Sequence, residues 1–265
     1  MKNDLEFVIE SVKEVGELIL NYFHGDYDVE EKSEDNPVTS ADLAADAELR
    51  KRFARRFPND GWLSEETVDS RERLARERVW VVDPLDGTKE FVKGFPEFAI
   101  SVALVEGREP RIAVVYNPAR KDLFTAEKGG GAFRNGSTMR ISSRRSLAGC
   151  RILASRSEYS QQTLAPLEEW GGHVEAVGSI AFRLALLAAG DADVAISLRP
   201  KNEWDICAGG LLVTEAGGKV TDLKGTGFSF NQENTLVQGV LAAGPAMHSL
   251  ALDWIRQRPE LQSTL

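Results

Sequence analysis

The chain has 265 residues, 41 acidic and 32 basic, with a net charge of −9 and 42% hydrophobic side chains. These are values of a globular protein rather than a disordered one, and a chain this long buries about 70 to 75% of its unfolded surface without needing a disulfide or metal to assemble a core. The excess negative charge repels phosphate polymers and anionic bilayers, which argues against a nucleic-acid polymer or a membrane as partner and leaves a small phosphorylated ligand open. The opening Met1-Lys2-Asn3-Asp4-Leu5-Glu6 has acids where a secretory leader has its basic flank, and the uncharged residues 234–252 are interrupted by Gln238, Gly244, Pro245 and His248. A soluble cytoplasmic protein is expected.

Leu5, Val8, Val12, Val15, Ile19 and Tyr22 recur every three or four residues, which predicts an amphipathic helix over residues 4–23. Residues 25–36 are charged and turn-rich. Thr39-Ser40-Ala41-Asp42 has the form of a capping box opening a second helix toward Phe57, with Asp42 in its first turn. Val79-Trp80-Val81-Val82 is a short apolar run suited to a buried strand, and Asp83-Pro84-Leu85-Asp86-Gly87-Thr88 follows at once. Strands at residues 98–105, 111–116 and 122–126 form an antiparallel meander, with Gly129-Gly130-Gly131 and Asn135-Gly136 as its next turns. Beyond residue 140, strands at Ile152, Val174 and Val194 alternate with helices near residues 160–169 and 179–189. A helix after Glu203-Trp204-Asp205, strands at 219–222 and 236–242, and a last helix at 247–257 follow. The expected division is an α+β half, residues 1–140, and an α/β half, residues 141–265, with no linker or repeat between them.

Cys150 and Cys207 are the only cysteines, too few for a zinc cluster, and read as small buried apolar residues. His24, His173 and His248 are scattered and form no metal motif. Metal chemistry therefore rests on carboxylates, hydroxyls and carbonyls, which suit magnesium or manganese. Asp83, Asp86 and Thr88 leave the carboxyl end of a predicted strand, and Gly87-Thr88 opens a predicted helix through Lys89-Glu90-Phe91. Carboxylates spaced this way across a proline-bearing turn can converge on hard cations, while amides at a helix start can hold a phosphate oxygen. The same dipeptides, Asp-Pro and Asp-Gly, also suit a plain solvated turn. Ser64-Glu65-Glu66 after Trp62-Leu63, and Asp205 in a helix's first turn, add two further acidic positions.

Asn36-Pro37-Val38-Thr39 with Ala41-Asp42, Ser64-Glu65-Glu66, Asp83-Pro84-Leu85-Asp86-Gly87-Thr88, and Trp204-Asp205 with Ala208-Gly209 resemble, in order and across most of the chain, the motifs of the inositol monophosphatase superfamily. The resemblance implies an α/β (α+β layered) fold, an α-β-α-β-α sandwich of the inositol monophosphatase and fructose-1,6-bisphosphatase type, and a magnesium-dependent phosphomonoesterase. It assigns metal ligation to Glu65, Asp83, Asp86, Asp205 and the backbone carbonyl of Leu85, with two or three Mg2+ ions or Mn2+ in their place. Catalytic roles fall to Thr88, backed by Asp42, and to Glu65. Two such cations bind the phosphate, acidify the attacking water and neutralise the leaving alkoxide, so no protein nucleophile is needed. The family's mobile early loop corresponds to the stretch around Lys32, and Ser64 departs from the glycine that many members carry. A homodimer and lithium sensitivity are implied by the resemblance alone.

For the substrate, Lys89-Glu90-Phe91 and Ser155-Arg156-Ser157 resemble the 3′(2′),5′-bisphosphate nucleotidase branch, which removes the 3′-phosphate from adenosine 3′,5′-bisphosphate. Arg183, on the helix after Gly178-Ser179, falls near a basic residue of that branch. Substrate contacts are accordingly expected from Gly87, Thr88, Lys89, Gly178, Ser179, Arg183 and Asp205. Gly94-Phe95-Pro96-Glu97-Phe98-Ala99-Ile100-Ser101 looks more like the inositol branch, which keeps inositol 1-phosphate, or inositol phosphate together with fructose 1,6-bisphosphate, as the alternative. A haloacid-dehalogenase-like phosphatase needs one residue between its paired acids, where Asp83 and Asp86 have two. A non-catalytic phosphate-binding module would be expected to have lost one of Glu65, Asp83, Asp86, Thr88 or Asp205.

Overall fold

The computed structural model describes residues 2–33, 36–160, 167 and 170–258. Helix α1 (Lys2–Phe23) buries Val8, Val12, Val15 and Ile19 along one stripe, the face its spacing predicts. Strands β1 (Val29–Ser33) and β2 (Asn36–Thr39) form an antiparallel hairpin where the sequence offers only charge and turn residues. All of β1 is exposed, so no alternation marks it. Helix α2 (Ser40–Arg56) begins at the predicted capping box, with the Thr39 and Asp42 side chains each taking up a backbone N–H of the first turn.

A seven-stranded sheet follows, its strands adjacent in chain order: β3 (Gly61–Ser64), β4 (Arg78–Asp86), β5 (Ala99–Glu106), β6 (Glu109–Asn117), β7 (Asp122–Glu127), β8 (Gly131–Arg134) and β9 (Ser137–Thr138). β3 and β4 are parallel, and the rest is the predicted antiparallel meander. The five-residue helix α3 (Thr88–Val92) leaves the end of β4.

The later chain contributes β10 (Arg151–Ala154), α4 (Arg156–Ser160), β11 (His173–Ala176), α5 (Ile180–Ala188), β12 (Val194–Ser197), β13 (Lys201–Asn202), α6 (Glu203–Glu215), β14 (Lys219–Thr221), β15 (Leu236–Val237), β16 (Val240–Ala243) and α7 (Pro245–Arg256). Its five-stranded sheet runs β11-β10-β12-β16-β14. The helix expected near residues 160–169 lies mostly outside the described residues. The single strand expected over 236–242 is two strands in different sheets, because Gly239 breaks it at φ +69°, where an added Cβ would sit 2.6 Å from the Leu223 side chain.

Burial alternates along the strands and defines the layers. Trp80, Val82, Ile100, Val102 and Val114 face α1 and α2, whereas Val79, Val81, Ala103, Val115 and Phe124 face the opposite way, onto α5 and α6. The same two helices meet Leu153, Ala195 and Ala242 of the second sheet, whose other face, with Ile152, Val194 and Leu241, packs on Met247, Ala251 and Ile255 of α7. The result is the expected α-β-α-β-α order, with α5 and α6 as the shared middle layer. Cys150 and Cys207 are both buried, and no helix among the described residues is long and apolar enough to cross a membrane.

Candidate active site

β3 runs parallel to β4 and stops at Ser64 opposite Val82, so Glu65 and the last residues of β4 lie at the same sheet end. Glu65 continues β3, its amide donating to the Val82 carbonyl at 3.3 Å. On β4, Asp83 pairs with Ser101 and Asp86 with Ala99, so one residue is extra on the β4 side. This bulge matters because residues three apart in a regular strand point to opposite faces; the extra residue turns both carboxylates toward one cavity and accommodates Pro84. Asp83 Oδ1 accepts from the Leu85 amide at 3.0 Å, fixing the turn.

The second half supplies Asp205 in the first turn of α6, where its Oδ2 accepts from the Asn202 amide at 2.7 Å in a second capping box. Ser101 Oγ donates to the Trp204 carbonyl at 3.1 Å, tying this turn to β5. Carboxylate oxygens of Glu65, Asp83 and Asp205 thereby come within 4.8 Å of one another. Asp86 stands beside them, with Oδ2 accepting from Ser179 Oγ at 2.7 Å and the Ala181 amide at 2.6 Å at the start of α5.

This arrangement is costly as it stands. Burial, reinforced by Glu65, Asp86 and Asp205, holds the Asp83 carboxyl well above the ordinary range. Asp205 is pushed up to about 7, by burial first and then by Asp86. Asp83 Oδ2 is buried without a hydrogen-bond partner among the described residues. An all-oxygen donor set with an orphaned anionic oxygen is what a hard divalent cation takes, and these residues fit magnesium.

Thr88, first residue of α3, donates to Asp42 Oδ1 at 2.8 Å and lies 3.2 Å from the Leu85 carbonyl. Asp42 Oδ2 accepts from the Thr39 amide at 2.8 Å and its hydroxyl at 2.5 Å. Burial raises the Asp42 pKa against the lowering effect of these bonds. Gly87 has φ +102°, and a Cβ there would lie 2.7 Å from the Glu97 carbonyl, so the turn into α3 requires glycine.

A cavity of about 320 Å³ is lined by every residue singled out for metal or substrate: Glu65, Asp83, Leu85, Asp86, Gly87, Thr88, Lys89, Gly178, Ser179, Arg183 and Asp205. Asp42 is absent from the wall and reaches it through Thr88. Arg183 is only 2% exposed, with Nη1 donating to the Ile196 carbonyl at 2.8 Å, and burial lowers its pKa. On the hairpin side, Lys32 Nζ lies 2.9 Å from Glu65 and 2.5 Å from Glu66. Burial pulls the Lys32 pKa down, but the two glutamates outweigh it and hold it above the usual lysine value.

Residues 1–259 match the model of the inositol monophosphatase family. This chain belongs to that family. It is 34% identical over 223 residues to the fructose-1,6-bisphosphatase/inositol-1-monophosphatase of Thermotoga maritima, covering 83% of this chain and 85% of the relative. It is 36% identical over 253 residues to the Nus factor SuhB of Escherichia coli, covering 91% and 90%. The solved structure of a Thermotoga maritima IMPase superposes with a TM-score of 0.86 at 31% identity over 97% of this chain and 98% of the other. As a member of the inositol monophosphatase family the chain is a phosphatase.

Ser64, the departure noted from the family's glycine, has a structural role of its own. Its hydroxyl donates to Asp46 Oδ1 at 2.5 Å while Thr67 Oγ1 donates to Oδ2 at 2.7 Å, so α2 anchors both sides of Glu65. The sequence reading missed two cavity cations, Arg199 and Lys201. The signal was available in Arg199-Pro200-Lys201, one residue before Glu203-Trp204-Asp205.

Proposed function

We propose that the chain is a magnesium-dependent phosphomonoesterase whose substrate is adenosine 3′,5′-bisphosphate. The convergence of Glu65, Asp83 and Asp205 within 4.8 Å, with Asp83 Oδ2 unpartnered, carries the metal-dependent part of this reading. Glu65, Asp83, Asp86, Asp205 and the Leu85 carbonyl would hold two or three Mg2+ ions, or Mn2+, whose chemistry is to neutralise charge at the phosphate and acidify a water.

The chain's own residues orient that water. With its hydrogen given to Asp42, the Thr88 hydroxyl presents lone pairs that accept a hydrogen from the attacking water. Asp42 is held by Thr39 through the other oxygen, so it fixes the direction of the Thr88 hydroxyl and stabilises positive charge developing there. Glu65 is close enough to the cluster to share the proton. The turn at Gly87-Thr88 and the start of α5 at Gly178-Ser179 border the cavity and would seat the phosphate.

The cations Lys89 and Arg183 on the cavity wall favour a substrate with a second phosphate. A second reading, inositol 1-phosphate, is favoured by the relative named fructose-1,6-bisphosphatase/inositol-1-monophosphatase and by the polar wall residues Glu90, Ser155 and Ser157, which suit ring hydroxyls. The deciding experiment is phosphate release in magnesium from adenosine 3′,5′-bisphosphate, inositol 1-phosphate and fructose 1,6-bisphosphate, compared as kcat/KM with EDTA controls. A preference for the adenosine compound is expected, and a preference for inositol 1-phosphate overturns it. The same reading includes a cytoplasmic homodimer inhibited by lithium, with residues 1–140 and 141–265 as two halves around the cavity.

A further inference from the structure

Lys201 has the placement of a ligand-binding cation. It lines the active-site cavity from β13, pairs there with Val237, and sits four residues before Asp205. Its charge is felt at both Asp86 and Asp205, lowering each pKa against burial. Among the described residues, its ammonium makes no hydrogen bond or ion pair.

The segment that carries Lys201 is pinned on both sides. Glu158, fully buried, accepts from Ser197 Oγ at 2.6 Å, the Leu198 amide at 3.0 Å and the Arg199 amide at 3.2 Å. Beyond Lys201, Asn202 is held by the capping box with Asp205 and by Thr235 Oγ1 at 3.1 Å. Two neighbouring guanidinium groups have protein partners, Arg183 Nη1 donating to the Ile196 carbonyl at 2.8 Å and Arg156 Nη2 to Glu97 at 2.5 Å, while Lys89 and Arg199 share the cavity wall with Lys201. A flexible stem ending in a compact charge, on a backbone hydrogen-bonded on both sides, is suited to receive an anionic group held in the same cavity as the acidic cluster.

We propose that Lys201 is a specificity-determining residue that receives a second phosphate of the substrate, so that the preferred class is phosphate esters bearing two phosphates. This rests on the phosphatase reading above and extends it to Lys201. The cluster would take the phosphate to be released, and Lys201 the one that stays.

The test is a matched pair of substrates differing only in that second group: adenosine 3′,5′-bisphosphate and adenosine 3′-monophosphate, in magnesium, with wild type, Lys201→Met and Lys201→Arg. Wild type is expected to favour the bisphosphate in kcat/KM. Lys201→Met should lose about tenfold or more of that preference, kcat/KM for the bisphosphate falling further than for the monophosphate, and Lys201→Arg should restore part of it. Calorimetric binding of adenosine 5′-monophosphate, which keeps only the second phosphate, should weaken about tenfold in Lys201→Met whether or not turnover is measurable. An unchanged ratio with unchanged binding overturns the proposal, as does an equal loss on both substrates, which would make Lys201 only a counter-ion to Asp86 and Asp205. If wild type hydrolyses polyol phosphates and neither adenosine compound, the adenosine reading fails by itself. The ratio for inositol 1,4-bisphosphate against inositol 1-phosphate then decides Lys201 on the same terms.

Discussion

Asp86 and Ser179, 93 residues apart in sequence, meet at 2.7 Å, and the same Ser179 hydroxyl accepts from the Phe182 amide at 3.0 Å. One side chain therefore caps α5 and orients a carboxylate of the acidic cluster from the other half of the chain. Ser179→Ala removes both bonds. The expected outcome is a stability loss of about 0.5–2 kcal/mol by denaturant unfolding and a higher magnesium concentration for half-maximal phosphate release. A magnesium requirement equal to wild type would show that Asp86 needs no such support.

Asp83→Asn separates stability from activity. The carboxyl is 1% exposed, surrounded by like charges, and has an unpartnered oxygen, so its neutral analogue relieves repulsion in the metal-free protein. In EDTA the variant should be more stable to unfolding than wild type by about 1–3 kcal/mol. The stabilisation that magnesium gives wild type should disappear along with phosphate release. A variant less stable than wild type in EDTA contradicts this account.

The pH dependence has a definite sign. Asp205 and Glu66 are both raised to about 7, from ordinary values of 3.8 and 4.5, burial being the larger cause in each. Between those values the folded chain binds more protons than the unfolded one, so metal-free stability falls as pH rises through the window and the loss is complete above about 7. Thermal midpoints in EDTA should drop from about pH 5 to about pH 8, and the gain on adding magnesium should grow over the same interval. A flat EDTA profile is the contrary result.

Thr88→Val keeps the size and removes the hydroxyl. Loss of about 10²–10⁴ in kcat with little change in KM is expected, and Thr88→Ser should recover most of it. Were Thr88 only a helix-capping contact, the valine variant would lose stability and keep its turnover.

Most of the candidate site is legible in the sequence, because its chemistry sits in short contiguous runs. Asp83-Pro84-Leu85-Asp86-Gly87-Thr88 announces its acids, its turn and its hydroxyl together, and the capping box at Thr39 and Asp42 is a local pattern. The hairpin of β1 and β2 was illegible because its exposed strand lacks alternation and its role depends on Lys32 reaching Glu65, 33 residues away. The bulge that turns Asp83 and Asp86 to one side depends on the partner strand and leaves no mark beyond Pro84. Lys201 escaped notice for a related reason. The segment that carries it is held by Glu158, distant in sequence, on one side and by the Asn202 contacts on the other.

The shared middle layer also constrains how the protein is made. The seven-stranded sheet is complete once Thr138 has been synthesised, yet the helices that pack on the face bearing Val79, Val81, Ala103 and Val115, α5 and α6, come later in the chain. Until the chain reaches Glu215 that apolar face lacks α6, so a nascent chain stalled before Glu203 is expected to expose it and to be prone to aggregation. Synthesis of the helix that delivers Asp205 thus both covers that face of the first sheet and completes the acidic cluster, so a chain with the cluster assembled is one whose first sheet is already shielded.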